Sequence, residues 1–329
     1  MSDIEVKQPT PPLLLARVSR LLPLFSLALG LASAYWMSRK PERAPLIIGM
    51  ALLGWVAIPI AAVIVRKIAR AQDKSKKARI VLWFTLAISQ TVMLQALVFP
   101  IPFFAAALSP VLAHVPFVVV YVLALVVGWW DPWYEKAAHR PSALVTLQAF
   151  AAFVSCLTVL PIVGLTNAKT FTVAAVVVAV GAPMGYWLTG VRRRRTISVV
   201  ALVLLSGLVV FGAPLVPPVP LSLGSGTLCT SVVARQPQGA ARHFVSPPEL
   251  VCHTAIRAPL GLKDKLVHVW RDERRVLQTV ALDVSGGSSG DGFRTWSRLR
   301  KPPAGRITCR VETALGQVVG VVDGIVVHR

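Results

Sequence analysis

The sequence predicts a multi-span α-helical membrane bundle followed by an all-β sandwich. Three observations carry this. Of 329 residues, 55% are hydrophobic and 15% charged, with a mean hydropathy of +0.65; these values exclude an ordinary soluble globular chain and a disordered one. Between residues 21 and 216 the apolar stretches are long enough to cross ~30 Å of hydrocarbon with about 20 helical residues each. Beyond a proline-rich segment the pattern changes to short, β-branched runs separated by turn residues.

About seven spans are expected, at 21–37, 44–65, 80–99, 109–130, 143–165, 171–190 and 196–216. Pro100, Pro102 and Pro110 interrupt the apolar run between the third and fourth. Because proline blocks helix continuation, two spans are expected there rather than a re-entrant hairpin. Arg17 and Arg20 precede the first apolar run, which ends in Ala32-Ser33-Ala34; a cleaved signal peptide is the alternative reading of that span.

Charge fixes the orientation. Lys and Arg number 35 against 14 Asp and Glu, a net charge of +21, which in a soluble protein points to nucleic acid. Here the densest clusters are Arg66, Lys67, Arg70, Lys74, Lys76, Lys77 and Arg79 in one loop and Arg192, Arg193, Arg194 and Arg195 in another. Positive loops stay cytoplasmic. An even number of spans between the two clusters satisfies both, placing the N-terminus inside and everything after residue 216 outside. Arg39, Lys40 and Arg43 dissent, on a short loop assigned to the outer side. The positive charge therefore reads as topology and contact with anionic lipid headgroups, and no nucleic-acid partner is expected.

No Asp, Glu, Lys or Arg lies in the middle of an expected span, although such groups usually mark transport or proton paths. The neutral polar residues there are Ser89, Gln90, Thr91, Gln95, Thr146, Gln148 and Ser155. They are expected to hydrogen-bond between helices. A polar intramembrane site at Gln90, Gln95 and Asp131 is the competing reading. The cluster from Trp129 to Lys136 reads as an interfacial aromatic belt, with Asp131 capping a short helix that begins at Pro132.

After a proline-rich linker at 217–226, strands are expected at 227–234, 249–257, 265–271, 275–284, 293–300, 306–313 and 317–327, forming a two-sheet antiparallel sandwich over 227–329. Asp272-Glu273-Arg274 and Ala314-Leu315-Gly316 read as hairpin turns, and the Gly/Ser run at 285–292 as a mobile loop. Three of four cysteines fall in this segment. A disulfide between Cys229 and Cys252, on neighbouring strands, is preferred; Cys252 with Cys309, bridging the sheets with Trp270 between them in sequence, is the rival. No zinc spacing, carboxylate pair, Ser-His-Asp signature or phosphate loop stands out, so no metal, cofactor or catalytic residue is assigned.

His268 and Trp270 share one face of a strand, as do Arg294 and Trp296, or Thr295 and Ser297, on another. Trp270 and Trp296 are candidate stacking surfaces for a sugar or peptide, with His268, Arg294 and Ser297 as polar contacts. The competing reading makes both tryptophans core residues.

The ordered motifs Thr254-Ala255-Ile256-Arg257-Ala258-Pro259, His268-Val269-Trp270, Phe293-Arg294-Thr295-Trp296-Ser297, Gly305-Arg306 and Gly316-Gln317-Val318-Val319-Gly320 resemble the domain of unknown function 2914. Phe99-Pro100-Ile101-Pro102-Phe103-Phe104 and Asp131-Pro132-Trp133-Tyr134 resemble the family of unknown function 5924. The resemblance implies a bacterial inner-membrane protein with a periplasmic immunoglobulin-like domain, and no activity. The expected function is a non-enzymatic envelope protein whose β-domain binds a periplasmic protein or a glycan. A transporter or membrane enzyme with a regulatory β-domain is the alternative, and assembly of homo-oligomers a third.

Overall fold

The computed structural model describes residues 76–109, 112–188, 212–258, 262–285 and 292–328, with a few single positions before residue 76. Nearly all of the expected spans at 21–37 and 44–65, the part of the last span before residue 212, the arginine loop at 192–195, most of the loop at 66–79 and the loop between Ser285 and Gly292 lie outside the described residues, as does most of the signal-peptide site.

Six α-helices are described: α1 (Lys76–Val98), α2 (Ile101–Ala107), α3 (Val115–Trp129), α4 (Asp131–His139), α5 (Pro141–Ile162) and α6 (Asn167–Leu188). Four stretches, Phe84–Ala107, Leu112–Trp129, Ser142–Ile162 and Asn167–Tyr186, are long and apolar enough to cross a membrane. They coincide with the third to sixth expected spans. Pro100 ends α1 and opens α2, its carbonyl accepting the amides of Phe103 and Phe104. Trp130, rather than Asp131, holds the N-cap position of α4, with Pro132 inside the first turn. That is a one-residue correction to the expected cap.

The chain forms two compact units. In the first, helices meet through small residues and hydrogen bonds, the usual means of association where apolar burial drives little. Gly128 faces Leu94 and Leu97, and Gly185 faces Val145. Ser89 pairs with the Tyr134 hydroxyl at 2.8 Å, Gln90 donates to the Gly128 carbonyl at 3.2 Å, Ser155 donates to the Ala96 carbonyl at 3.1 Å, and Thr146 pairs with Tyr186 at 3.0 Å.

The second unit comprises Pro100–Tyr121, Cys156–Val176 and Val203–Arg329. Its β-part has ten described strands: β1 (Ser222–Cys229), β2 (Ser231–Val233), β3 (Gln236–Gln238), β4 (His243–Val245), β5 (Glu249–Arg257), β6 (Lys263–Arg271), β7 (Val276–Ser285), β8 (Phe293–Arg300), β9 (Gly305–Thr313) and β10 (Val318–Val327). A three-stranded sheet runs β1-β5-β8 and a five-stranded sheet β4-β10-β9-β6-β7. All pairings in the two sheets are antiparallel except β10 with β4. Leu228, Leu250, Cys252 and Leu299 from the first sheet and Trp270, Ile307, Cys309 and Val322 from the second share one buried core. Asp272 forms the β6–β7 turn, its Oδ1 accepting the amides of Arg274 and Arg275. At the β9–β10 turn, Gly316 has φ +75°, a conformation glycine adopts without steric cost.

The expected strand at 227–234 divides. β1 ends at Cys229, and β2 folds back on β3 as a small separate hairpin through Ala234 and Arg235, at φ +48° and +62°. The proline-rich linker is shorter than expected, because β1 already begins at Ser222. Residues Ala213–Leu215 form a 3-10 turn, and Val216, Val219 and Leu221 are buried.

Within this unit the β-part is fastened to helix ends. Asp264 of β6 accepts the backbone N–H of Asn167, the first residue of α6, at 2.8 Å. The Asn167 side chain donates to Gln317 Oε1 at 2.7 Å, Gln317 Nε2 donates to the Val216 carbonyl at 3.0 Å, and Ser109 donates to the Val318 carbonyl at 3.2 Å.

Candidate functional site

Side-chain alternation assigns the residues of β5 to two environments. Cys252 and Thr254 point into the core, so Val251, His253, Ala255 and Arg257 face outward. On β8, which pairs Cys252 with Ser297 and His253 with Trp296, Thr295 and Ser297 point inward and Arg294 and Trp296 outward.

The inward set forms a closed polar cluster. Trp270 is 0% exposed and donates its indole N–H to Ser297 Oγ at 2.9 Å. His268 Nδ1 lies 2.8 Å from the same Oγ, and its Nε2 lies 3.0 Å from Thr254 Oγ1. Thr254 Oγ1 also donates weakly to the Thr295 carbonyl. One hydrogen per hydroxyl then fixes the directions: His268 Nε2–H donates to Thr254, and Ser297 donates to Nδ1. The imidazole is neutral. Burial pushes its pKa down to about 4, with a smaller repulsion from His253.

A disulfide joins Cys252 to Cys309 beside this cluster, bridging the two sheets. It corrects the preferred pairing of Cys229 with Cys252. Those strands are adjacent, as expected, but the register sets Leu228 opposite Cys252 and Cys229 opposite Val251. Cys229 therefore points away from Cys252, and no bridge can span opposite faces of a strand pair. Cys229 is a buried free thiol. Cys252, His268 and Cys309 bring ligand atoms within 4.8 Å of one another, yet the disulfide engages both sulfurs and hydroxyls engage both ring nitrogens. The cluster is a structural one. Ser297→Ala removes the acceptor of a buried indole and the donor to His268; a loss of about 2 kcal/mol in chemical denaturation is expected.

The five residues expected to form one binding site thus separate: His268, Trp270 and Ser297 lie inside, Arg294 and Trp296 outside. Trp296 is 37% exposed. Its ring lies nearly parallel to that of His253, at 12° with centroids 6.4 Å apart. Beside them the outer face of the three-stranded sheet carries a groove of about 380 Å³, lined by Gly224, Ser225, Gly226 and Thr227 of β1, Gln236 and Pro237 of β3, His253, Ala255 and Arg257 of β5, and Arg294 of β8. Its lining includes no carboxylate. His253 Nε2 donates to the Arg235 carbonyl in the β2–β3 turn at 3.2 Å, tying the hairpin to the sheet. Burial lowers the His253 pKa, the bond to Arg235 opposes this, and the Arg294 charge adds to it.

Gln90, Gln95 and Asp131 have a different setting. Gln90 is used in the bond to Gly128, and Gln95 stands five positions further along α1, partly buried. Asp131 begins α4. Sequence reasoning missed His253, Arg257 and Gln236 as groove residues. Counting alternate positions outward from an inward Cys252 identifies the first two; Gln236 carried no such signal.

No match is found among curated proteins. The family described as "Family of unknown function (DUF5924)" matches residues 5–250, reaching from before the first expected span through β4 to the start of β5. This match covers more than half of the chain, which therefore belongs to that family.

Proposed function

We propose that the protein is a multi-span anchor of the bacterial inner membrane that presents an immunoglobulin-like β-domain in the periplasm, where the groove beside Trp296 binds an envelope partner. The groove is the observation that carries this reading. It is a polar, cation-bearing concavity of the β-domain, lined by Gln236 and Pro237 of the hairpin and by Arg257 and Arg294, with no carboxylate in its lining.

The topology has independent support. If spans alternate, the starts of the fourth and sixth spans and the end of the seventh lie on the side of the β-domain. Ser109, Asn167 and Val216 mark these ends, and each is hydrogen-bonded to that domain. The cation-rich loops of the sequence, read by the preference of positive loops for the cytoplasm, support a periplasmic reading of this side. The buried Trp270 beside an inter-sheet disulfide supports the immunoglobulin-like reading, as does the resemblance of the tail to the domain of unknown function 2914. The intramembrane alternative is weaker, because Ser89, Gln90 and Ser155 are used in helix-to-helix bonds.

A photoreactive side chain at Gln236 in intact cells is expected to form an adduct with an envelope component, and the double variant Arg257→Glu/Arg294→Glu to abolish it. An adduct that survives both reversals removes the groove from the reading. An Arg300→Cys variant is expected to react with a membrane-impermeant maleimide once the outer membrane is opened. Reaction only after lysis of the inner membrane overturns the orientation.

A further inference from the structure

We propose that the groove on the β1-β5-β8 sheet takes an acidic saccharide, with the carboxylate held by Arg257 and Arg294 and a sugar ring set against Trp296. This rests on the groove being the binding site, and it names the chemical class of the ligand.

Charge gives the first argument. Arg294 pairs with Ala255 in the sheet register, and Arg257 lies two positions further along β5 on the same face. Arg257 and Arg294 thus rise from the same sheet face and both line the groove, Arg257 leaning over β1 and Arg294 standing on β8, so an anion seated between them lies between two cations. Guanidinium forks bind carboxylates with paired hydrogen bonds. Arg257 is also seated: a Cβ at Gly224 would lie 3.2 Å from its Nε and 3.4 Å from its Cγ. The missing side chain lets the arginine lie across β1, at the wall of the groove.

The rest of the surface argues for a sugar. Ser225 offers a hydroxyl and Gln236 an amide, which donate and accept at the edges of a polyol, and Thr227, whose hydroxyl donates to the Leu228 carbonyl, adds an acceptor. Trp296, stacked on the lining residue His253 and 37% exposed, supplies an aromatic surface next to the groove, which serves the apolar face of a pyranose. A peptide bound by strand addition pairs along a sheet edge, whereas this groove extends from the edge strand β1 across the face of the central strand β5 to Arg294 of β8. At about 380 Å³ the groove is at the small end of ligand pockets, suited to one or two rings.

The test uses the full chain in lipid nanodiscs and calorimetric titration with two probes, di-galacturonate and the disaccharide of N-acetylglucosamine and N-acetylmuramic acid. Each is compared with its carboxyl methyl ester. At least one free acid is expected to bind about tenfold or more tightly than its ester, with Arg257→Gln and Arg294→Gln each removing about tenfold of that affinity. Trp296→Ala is expected to weaken acid and ester alike. Arg294→Lys keeps the charge without the fork and is expected to fall between wild type and Arg294→Gln, which separates recognition from misfolding. Equal affinity for acid and ester, no binding of either probe, or arginine variants that bind as wild type overturn the proposal. If the Gln236 adduct persists in those cases, the groove reading stands and only the ligand class falls; loss of the adduct as well removes both.

Discussion

Replacing Cys309 with serine is expected to lower the stability of the β-domain by about 4 kcal/mol, in the chain-entropy account of a crosslink closing so long a loop. The bridged cysteines are 57 residues apart in sequence, and β5 and β9, the strands they join, are interior members of different sheets. Without the bridge, the two sheets are held by their shared apolar core and by the bonds of His268 and Trp270 to Thr254 and Ser297. Cys229→Ala is expected to cost only about 1 kcal/mol, the loss of one small buried group. Thiol counting in denaturant provides a second measure. The described free cysteines are Cys156 and Cys229, so Cys229→Ala is expected to leave one reactive thiol and Cys309→Ser to expose three. One reactive thiol after Cys309→Ser, with three after Cys229→Ala, would restore the Cys229–Cys252 pairing and overturn the bridge.

Acidification should weaken the domain through His268. Its folded pKa of about 4 lies below the ordinary 6.5, so between these values the unfolded chain binds a proton that the folded chain refuses. The contribution is fully present above about pH 6.5 and is lost as pH falls toward 4, on the order of 3 kcal/mol in all. The geometry explains the direction. Protonation places a hydrogen on Nδ1, facing Ser297 Oγ, which already accepts the Trp270 indole. His268→Gln offers an amide donor and a carbonyl acceptor but does not titrate. Chemical denaturation at pH 7.5 and 4.5 is expected to show a smaller loss for the variant than for wild type. Asp264 and Glu312 have carboxyl pKa values raised by burial and act in the opposite direction. The comparison is therefore between the two proteins, and identical pH slopes would reject the assignment.

What the sequence revealed follows the reach of its signals. β5 and β8 match their expected limits because alternation and flanking turn residues are local properties. The β2–β3 hairpin escaped notice because its turn uses Ala234 and Arg235 at positive φ in place of the usual Asn-Gly signal. The cysteine pairing was misjudged for a related reason. Adjacency of β1 and β5 was legible, but the one-residue register that turns Cys229 from Cys252 is set by packing between strands. Trp270 and Trp296 looked equivalent in sequence; only the side on which the second sheet packs distinguishes a core indole from a surface one. Gln236 reaches the groove through tertiary folding of the hairpin, which no local pattern encodes.

The fastening of the β-part to helix ends has a mechanical consequence. The first amides of a helix have no partner within it and are ordinarily met by a capping side chain or water. Asn167 instead sends its backbone N–H to Asp264 and its side chain to Gln317, both on the β-domain. A load applied to that domain is delivered to the start of α6 across single hydrogen-bond lengths, with no slack segment to take it up. The β-part and the first turn of α6 therefore move as one piece, and a displacement of Asp264 or Gln317 is felt at Asn167.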